Sequence, residues 1–251
     1  MSRFRAGIRH AMPFTIDIYE FATQKKAMLP SKKKFSTLIE SHRPIGLDLG
    51  GADPGHGGWT TVDMTKECDI YWDLRLPIPL PDSSVTKIYS SHLFEHLTYE
   101  QGQKLFQESM RLLKPGGTFS ICVPNARMYI EGYMGARDIP EDYFGWRPAL
   151  NSTTSIDAIN YVAYMGGEHK YMFDQENLLY LLNSAGFADV SERPFDLTCD
   201  RAERDFESLY AIGTKPQTAK KVNHREKARL QKRIRNRPLN PELILARSKP
   251  G

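Results

Sequence analysis

Cysteine is scarce in this chain. Cys68, Cys122 and Cys199 are too few and too scattered for a disulfide framework or a cysteine-built zinc cluster. Long apolar runs are missing as well. No stretch approaches the roughly 18–20 apolar residues that cross a bilayer, and residues 1–13 are basic without the apolar segment of a secretory signal. Internal repeats are absent, and so is a Gly-x-Gly-x-x-Gly in register behind a strand, which argues against a nicotinamide dinucleotide site. A reducing, cytoplasmic setting is the expectation.

What is present divides by charge. Residues 1–43 carry nine Lys or Arg against three acids, and residues 215–251 carry twelve against two. The stretch 44–214 is acidic, with 25 acids against 13 basic residues. The reading is therefore three segments: a basic N-terminal extension over 1–43, a catalytic body over 44–214 and a basic arm over 215–251. Such arms attract nucleic acid or an anionic membrane surface, although solvated arms of this kind are common. Residues 14–22 read as one amphipathic helix, Leu-Pro-Ser-Lys-Lys-Lys (29–34) as a break, and 218–237 as a basic, marginal helix or an unstructured arm.

The body opens on Pro-Ile-Gly-Leu-Asp-Leu-Gly-Gly-Ala-Asp-Pro-Gly-His-Gly-Gly-Trp-Thr-Thr-Val-Asp (44–63). A short apolar run carrying Asp48 breaks into a glycine-rich loop, and a second run ends on Asp63. That pattern predicts a strand, a tight nucleotide-binding turn and a carboxylate placed to hold ribose hydroxyls. Strands are expected over 45–49, 60–63, 70–71, 85–90, 118–123, 189–193 and 208–214, alternating with helices, hence an α/β sheet covered on both faces. The spacing of Leu105, Phe106, Met110 and Leu113 predicts a helix over 99–113, stopped by Lys-Pro-Gly-Gly. A second helix runs over 174–185, with Asp174 as cap and Gly186 as stop. Residues 126–170 show no clean period and read as a functional cover.

Small residues at Gly50, Gly51 and Ala52 let backbone N–H groups approach a ligand. Asp63 can accept both ribose hydroxyl protons, and Asp73 can accept from an adenine amino group with Leu74 against the base. Ligands of open α/β sheets bind beyond the carboxyl ends of the strands, which points His92 at the reaction zone. Glu95 and His96 follow on the next turn, where helix-start capping contacts are the plainer alternative, and His96 reads more readily as such a cap. His169, at the end of the cover, is a second candidate base, since a neutral imidazole can take a proton from a hydroxyl. Tyr129, Tyr133, Tyr143, Phe144 and Trp146 crowd the cover and suit an acceptor pocket or ordinary packing. The spacing of His92, His96 and His169 matches no familiar zinc pattern, and no metal is expected.

Taken together, Leu-Asp-Leu-Gly-Gly-Ala (47–52), Gly-Trp-Thr-Thr-Val-Asp (58–63), Trp-Asp-Leu-Arg (72–75), Ile-Tyr-Ser-Ser-His-Leu-Phe-Glu-His-Leu (88–97) and Leu-Leu-Lys-Pro-Gly-Gly-Thr-Phe-Ser-Ile-Cys-Val-Pro (112–124) resemble class I S-adenosylmethionine-dependent methyltransferases. The likeness is strongest to their type 11 branch, and His-Lys-Tyr-Met-Phe-Asp (169–174) with Leu-Leu-Asn-Ser-Ala-Gly-Phe (181–187) fits the same branch. The resemblance covers about residues 44–214. It implies a Rossmann-like seven-stranded sheet, mostly parallel with the last strand antiparallel, and S-adenosylmethionine across the ends of the first strands. By position it assigns Asp48, Gly50, Gly51 and Ala52 to the cofactor loop, Asp63 to the ribose, Asp73 and Leu74 to adenine, and Ser91 and His92 to the segment after strand four, with Met64 a further cofactor contact. It also implies a small-molecule or sugar acceptor. The sequence departs from the pattern where 53–58 lengthen the loop and displace its third glycine.

Two other readings stay open. A nucleic-acid methyltransferase would track phosphates with 215–251, although no Asn/Asp-Pro-Pro-Tyr/Phe signature follows strand four. A non-catalytic scaffold of the same fold would bind a partner through its arms.

Overall fold

In the computed structural model the described residues are 28–52, 58–140, 143–144, 149 and 153–217. The expected helix over 14–22, most of the lengthened loop, Trp146 and the basic arm beyond Gln217 lie outside them.

Seven strands form one sheet: β1 (Ile45–Leu49), β2 (Thr60–Asp63), β3 (Ile70–Tyr71), β4 (Val85–Ser91), β5 (Leu113–Pro124), β6 (Ala188–Glu192) and β7 (Ser208–Thr214). Their order is β3-β2-β1-β4-β5-β7-β6. β1 lies parallel to β2 and β4, and β5 parallel to β4. β7 runs antiparallel to both its neighbours, which gives the mostly parallel sheet with an antiparallel last strand. All five residues of β1 are buried, as a central strand covered on both faces requires. From β1 the chain builds outward to β3, then crosses back to place β4 on the other side of β1. The carboxyl ends of β1 and β4 therefore flank the point where strand order reverses, where such sheets bind ligands.

The helices are α1 (residues 28–40), α2 (Tyr99–Leu112), α3 (Ala126–Tyr133), α4 (Asp157–Tyr164) and α5 (Gln175–Ala185). A reciprocal capping box starts α2: Thr98 Oγ1 accepts from the Gln101 N–H, and the Gln101 side chain accepts from the Thr98 N–H. Asp174 caps α5 by accepting from the Asn177 N–H at 2.7 Å, and Gly186 ends it in the left-handed region at φ 102°.

Three expectations need correction. Residues 29–34 are not a break, because Met28, Ser31 and Phe35 are buried at helical spacing and the three lysines form the wet face between them. The cover is not irregular throughout: α3 and α4 pack together through Met128, Tyr129, Tyr161 and Val162, with Phe144 edge-on to Tyr161. Lys-Pro-Gly-Gly is not a turn ahead of a short strand. It is a bulge inside the 12-residue β5, with Gly116 at φ 76° and the register against β4 shifting there.

A row of rings runs through the main core. Phe94 stacks on Phe106 at 4.4 Å, Phe106 meets Phe119 at 5.8 Å, and Phe119 meets Phe187 at 5.2 Å. Phe94 thereby anchors the short 3-10 turn Phe94–His96 that follows β4.

Candidate functional site

At the end of β1, Gly50 turns with φ 87° and donates its N–H to the Val62 carbonyl at 2.9 Å. A Cβ at Gly50 would lie 2.9 Å from the Leu93 side chain, and one at Gly51 would lie 2.2 Å from Asp48 Oδ2. Two residues without side chains thus fold over a buried carboxylate, and no larger residue fits at Gly51 unless Asp48 moves. Ala52 continues the turn, half-buried.

Asp63 closes β2. Its Oδ1 accepts from the Thr65 N–H at 2.9 Å. Burial raises its carboxyl pKa, against the backbone N–H groups of Thr65 and Met64 and the nearby His96, which lower it. Met64 beside it is exposed. Beyond β3, Asp73 is buried and held by Arg75, whose Nε and Nη2 donate to the two carboxylate oxygens at 2.8 Å each, with the Arg75 N–H at 2.9 Å. Burial pushes the Asp73 carboxyl up, but the hydrogen bonds from Arg75 prevail and hold it below the usual range. Leu74 is buried in the core.

Ser91 ends β4, and His92 follows at φ 49° with its N–H on the Cys122 carbonyl at 3.0 Å. The Ser208 hydroxyl donates to the Arg204 carbonyl, so the 2.9 Å contact between His92 Nε2 and Ser208 Oγ is a bond donated by His92. That tautomer leaves the Nδ1 lone pair 3.6 Å from Glu95 Oε1. Burial drives the His92 pKa down to about 3, so the ring is neutral.

Glu95 is the residue whose role the sequence left open. It is 2 % exposed, and among the described residues neither carboxylate oxygen has a hydrogen-bond partner. Burial raises its carboxyl to about 8. Neither Glu95 nor His96 caps a helix: Thr98 caps α2, and the 3-10 turn has no side-chain cap. Instead, Glu95 faces His92, His96 and His169. His96 Nε2 lies 3.9 Å from Glu95 Oε1, and the His96 and His169 rings meet edge to face at 4.9 Å. The Glu95 carbonyl accepts from the Lys170 and Tyr171 N–H groups at 2.7 and 3.2 Å, which straps the end of the cover to the turn. His-x-x-Glu-His at 92–96 was the available signal; His169, far away in the sequence, completes the group only through that strap.

The candidate residues therefore gather along one sheet edge. Asp48, Gly50, Gly51, Ala52 and Asp63 stand at the ends of β1 and β2. His92, Glu95, His96 and His169 stand beyond β4, and Asp63 and His96 are near enough for their charges to interact.

Residues 67–121 match the family model described as a methyltransferase domain. A curated relative from Mycolicibacterium smegmatis, named a probable S-adenosylmethionine-dependent methyltransferase, is 29% identical over 153 residues. The match covers 61% of this chain and 52% of the relative, so the chain spans about half of that relative's length. Among solved structures, a SAM-dependent methyltransferase from Archaeoglobus fulgidus aligns over 78% of this chain and 99% of its own at 17% identity and a TM-score of 0.43. Phosphoethanolamine N-methyltransferase 2 of Haemonchus contortus, in complex with S-adenosylmethionine, aligns over 75% of this chain and 53% of its own at 13% identity and a TM-score of 0.43. These likenesses, the family-model match lying over 67–121, support a class I S-adenosylmethionine-dependent methyltransferase. The glycine turn over Asp48, followed by an acid at the next strand end, fits that cofactor.

Proposed function

We propose that the protein transfers a methyl group to a hydroxyl of a small-molecule or glycan acceptor. One observation carries the reading: the Gly50–Gly51 turn with Asp48 and Asp63 shares a sheet edge with a buried Glu–His cluster. The bound cofactor supplies a methyl already activated on a sulfonium, so the chain's own task is alignment and the handling of one proton.

The backbone at Gly50, Gly51 and Ala52 would cradle the methionine end, and Asp63 would accept from the ribose hydroxyls in a two-oxygen contact. Met64 and Leu74 would bracket the base. Asp73 would receive the adenine amino group on the one Oδ2 lone pair that Arg75 leaves over, since each carboxylate oxygen has two. Ser91 and His92 border the methyl-bearing end. His92 and His169 belong to the acceptor side: both are buried and neutral, and His169 donates through Nδ1 to the Val162 carbonyl at 2.8 Å, leaving its Nε2 lone pair available. Tyr133 and Tyr164, exposed on the cover helices, offer ring faces to a sugar. Among the described residues no helix is long and apolar enough to cross a membrane.

Calorimetric titration with S-adenosylmethionine and S-adenosylhomocysteine tests the reading first. Micromolar binding by the wild type, lost in Asp63→Ala, is the expected result; no binding of either ligand overturns it. With an acceptor in hand, sugars screened first, His169→Ala should lower turnover while cofactor affinity stays intact. Unchanged turnover would remove His169 from the acceptor site.

A further inference from the structure

The cluster beyond β4 has the makings of more than a proton acceptor. One ligand atom each from Glu95, His96 and His169 lie within 4.8 Å of one another. Both imidazoles are held in the same tautomer by backbone carbonyls: His96 Nδ1 lies 3.3 Å from the Glu168 carbonyl, and His169 Nδ1 lies 2.8 Å from that of Val162. Each ring thereby turns an Nε2 lone pair away from its carbonyl, the outer-shell arrangement that orients metal-binding histidines. Between them stands a carboxylate that is 2 % exposed and has no hydrogen-bond donor among the described residues. A buried carboxyl with no donor keeps its proton unless a cation takes the proton's place.

We propose that Glu95, His96 and His169 bind a divalent first-row transition cation at the acceptor side of the site. Two imidazoles and one carboxylate, with positions left for substrate or water, suit Zn²⁺, Mn²⁺, Fe²⁺ or Co²⁺ better than Ca²⁺ or Mg²⁺. Metal–ligand distances of about 2.0–2.2 Å put ligand atoms roughly 3.3–3.5 Å apart in a tetrahedral site. The three ligand atoms need to close by about an ångström, and His96 is the most exposed of the three side chains. The expectation of no metal rested on histidine spacing and the absence of nearby cysteines, and neither could include Glu95 or the strap that brings in His169.

The role of the cation rests on the methyl-transfer reading. An acceptor hydroxyl in an open coordination position is acidified and gives its proton to water. Its oxygen then bonds the methyl carbon as the carbon–sulfur bond breaks, and that electron pair stays on sulfur.

The experiment needs no acceptor. Full-length protein stripped with a chelator is titrated with Co²⁺ and followed by its visible ligand-field bands, beside His96→Ala, His169→Ala and the near-isosteric Glu95→Gln. S-adenosylmethionine calorimetry on each sample reports that the β1–β2 edge is folded. The expected result is one Co²⁺ per wild-type chain, with affinity at least about tenfold weaker in each variant and cofactor binding retained. No saturable one-to-one binding by the wild type, or equal binding by the variants, overturns the site. Co²⁺ bound and lost in this pattern without any cofactor binding leaves the metal site standing and removes the methyl-transfer reading instead.

Discussion

Gly51 shows how little room a single position can leave. Its added Cβ would sit 2.2 Å from Asp48 Oδ2, well inside contact, and the carboxylate it would strike is buried beside β1. Gly51→Ala should therefore cost about 1–3 kcal/mol of stability, as overpacking does, and weaken S-adenosylmethionine binding by more than about tenfold. Calorimetry and urea unfolding read the two effects separately, and a neutral variant would mean that Asp48 swings aside at no cost. Asp73 offers a pH test. Its carboxyl is held below the ordinary range, burial opposing and the Arg75 hydrogen bonds prevailing. A carboxyl depressed by folding contributes stability above its unfolded value, near pH ~4, and loses that contribution as pH falls through the folded value. Arg75→Gln should lower the urea midpoint at pH 7, and the gap from wild type should shrink toward pH 3. A gap that persists in acid would assign the effect of Arg75 to packing of its stem.

At the scale of elements, the far side of the sheet is tied by one buried acid. Asp200 accepts from the Tyr89 hydroxyl on β4 at 2.8 Å, from Arg193 Nη1 and Nη2 at 2.5 and 2.7 Å, and from the Asp196 N–H at 2.7 Å. Arg193, just past β6, also reaches Ser120 on β5. The side chains of Asp200 and Arg193 are 0% and 10% exposed, so Asp200→Ala strands a buried guanidinium and should cost about 3–5 kcal/mol in urea unfolding. Adding Arg193→Met should recover part of that loss; no recovery would mean that the Tyr89 and backbone contacts carry it. Nothing in the sequence marked Asp200, because its Tyr89 partner lies on β4, 111 residues away. The bounds of β1, β2, β3 and β7 were legible, since apolar runs there stop at glycine or an acid, and so were the Asp174 cap and the Gly186 stop, which are local chemistry. α1 was not, because Leu-Pro-Ser-Lys-Lys-Lys reads as a polar break until Met28, Ser31 and Phe35 are set at helical spacing. The cofactor-side acids could be placed from strand ends alone. The Glu95 cluster could not, since it depends on backbone bonds between the 3-10 turn and the end of the cover.

Over the whole molecule, the proposed cofactor placement gives the two edges of the sheet different work and makes cofactor affinity separable from stability. α1, part of what reads in sequence as an extension, backs the cofactor edge: Phe35 is wholly buried and meets Trp72 edge-on at 5.6 Å, and Met28 Sδ accepts from the Asp73 N–H at 3.5 Å. Trp72 and Asp73 continue from β3, so α1 supports the segment assigned to adenine. Phe35→Ala should cost about 3–5 kcal/mol, as large-to-small core changes do, close to the loss expected for Asp200→Ala at the β6–β7 side. Equal destabilisation from two places gives a clean comparison. If α1 positions the cofactor edge, Phe35→Ala weakens S-adenosylmethionine binding in conditions where both variants stay folded, and Asp200→Ala leaves it near the wild-type value. Calorimetry on the pair at low temperature decides it. Equal weakening would mean that affinity follows global stability and that α1 holds the fold without shaping the site.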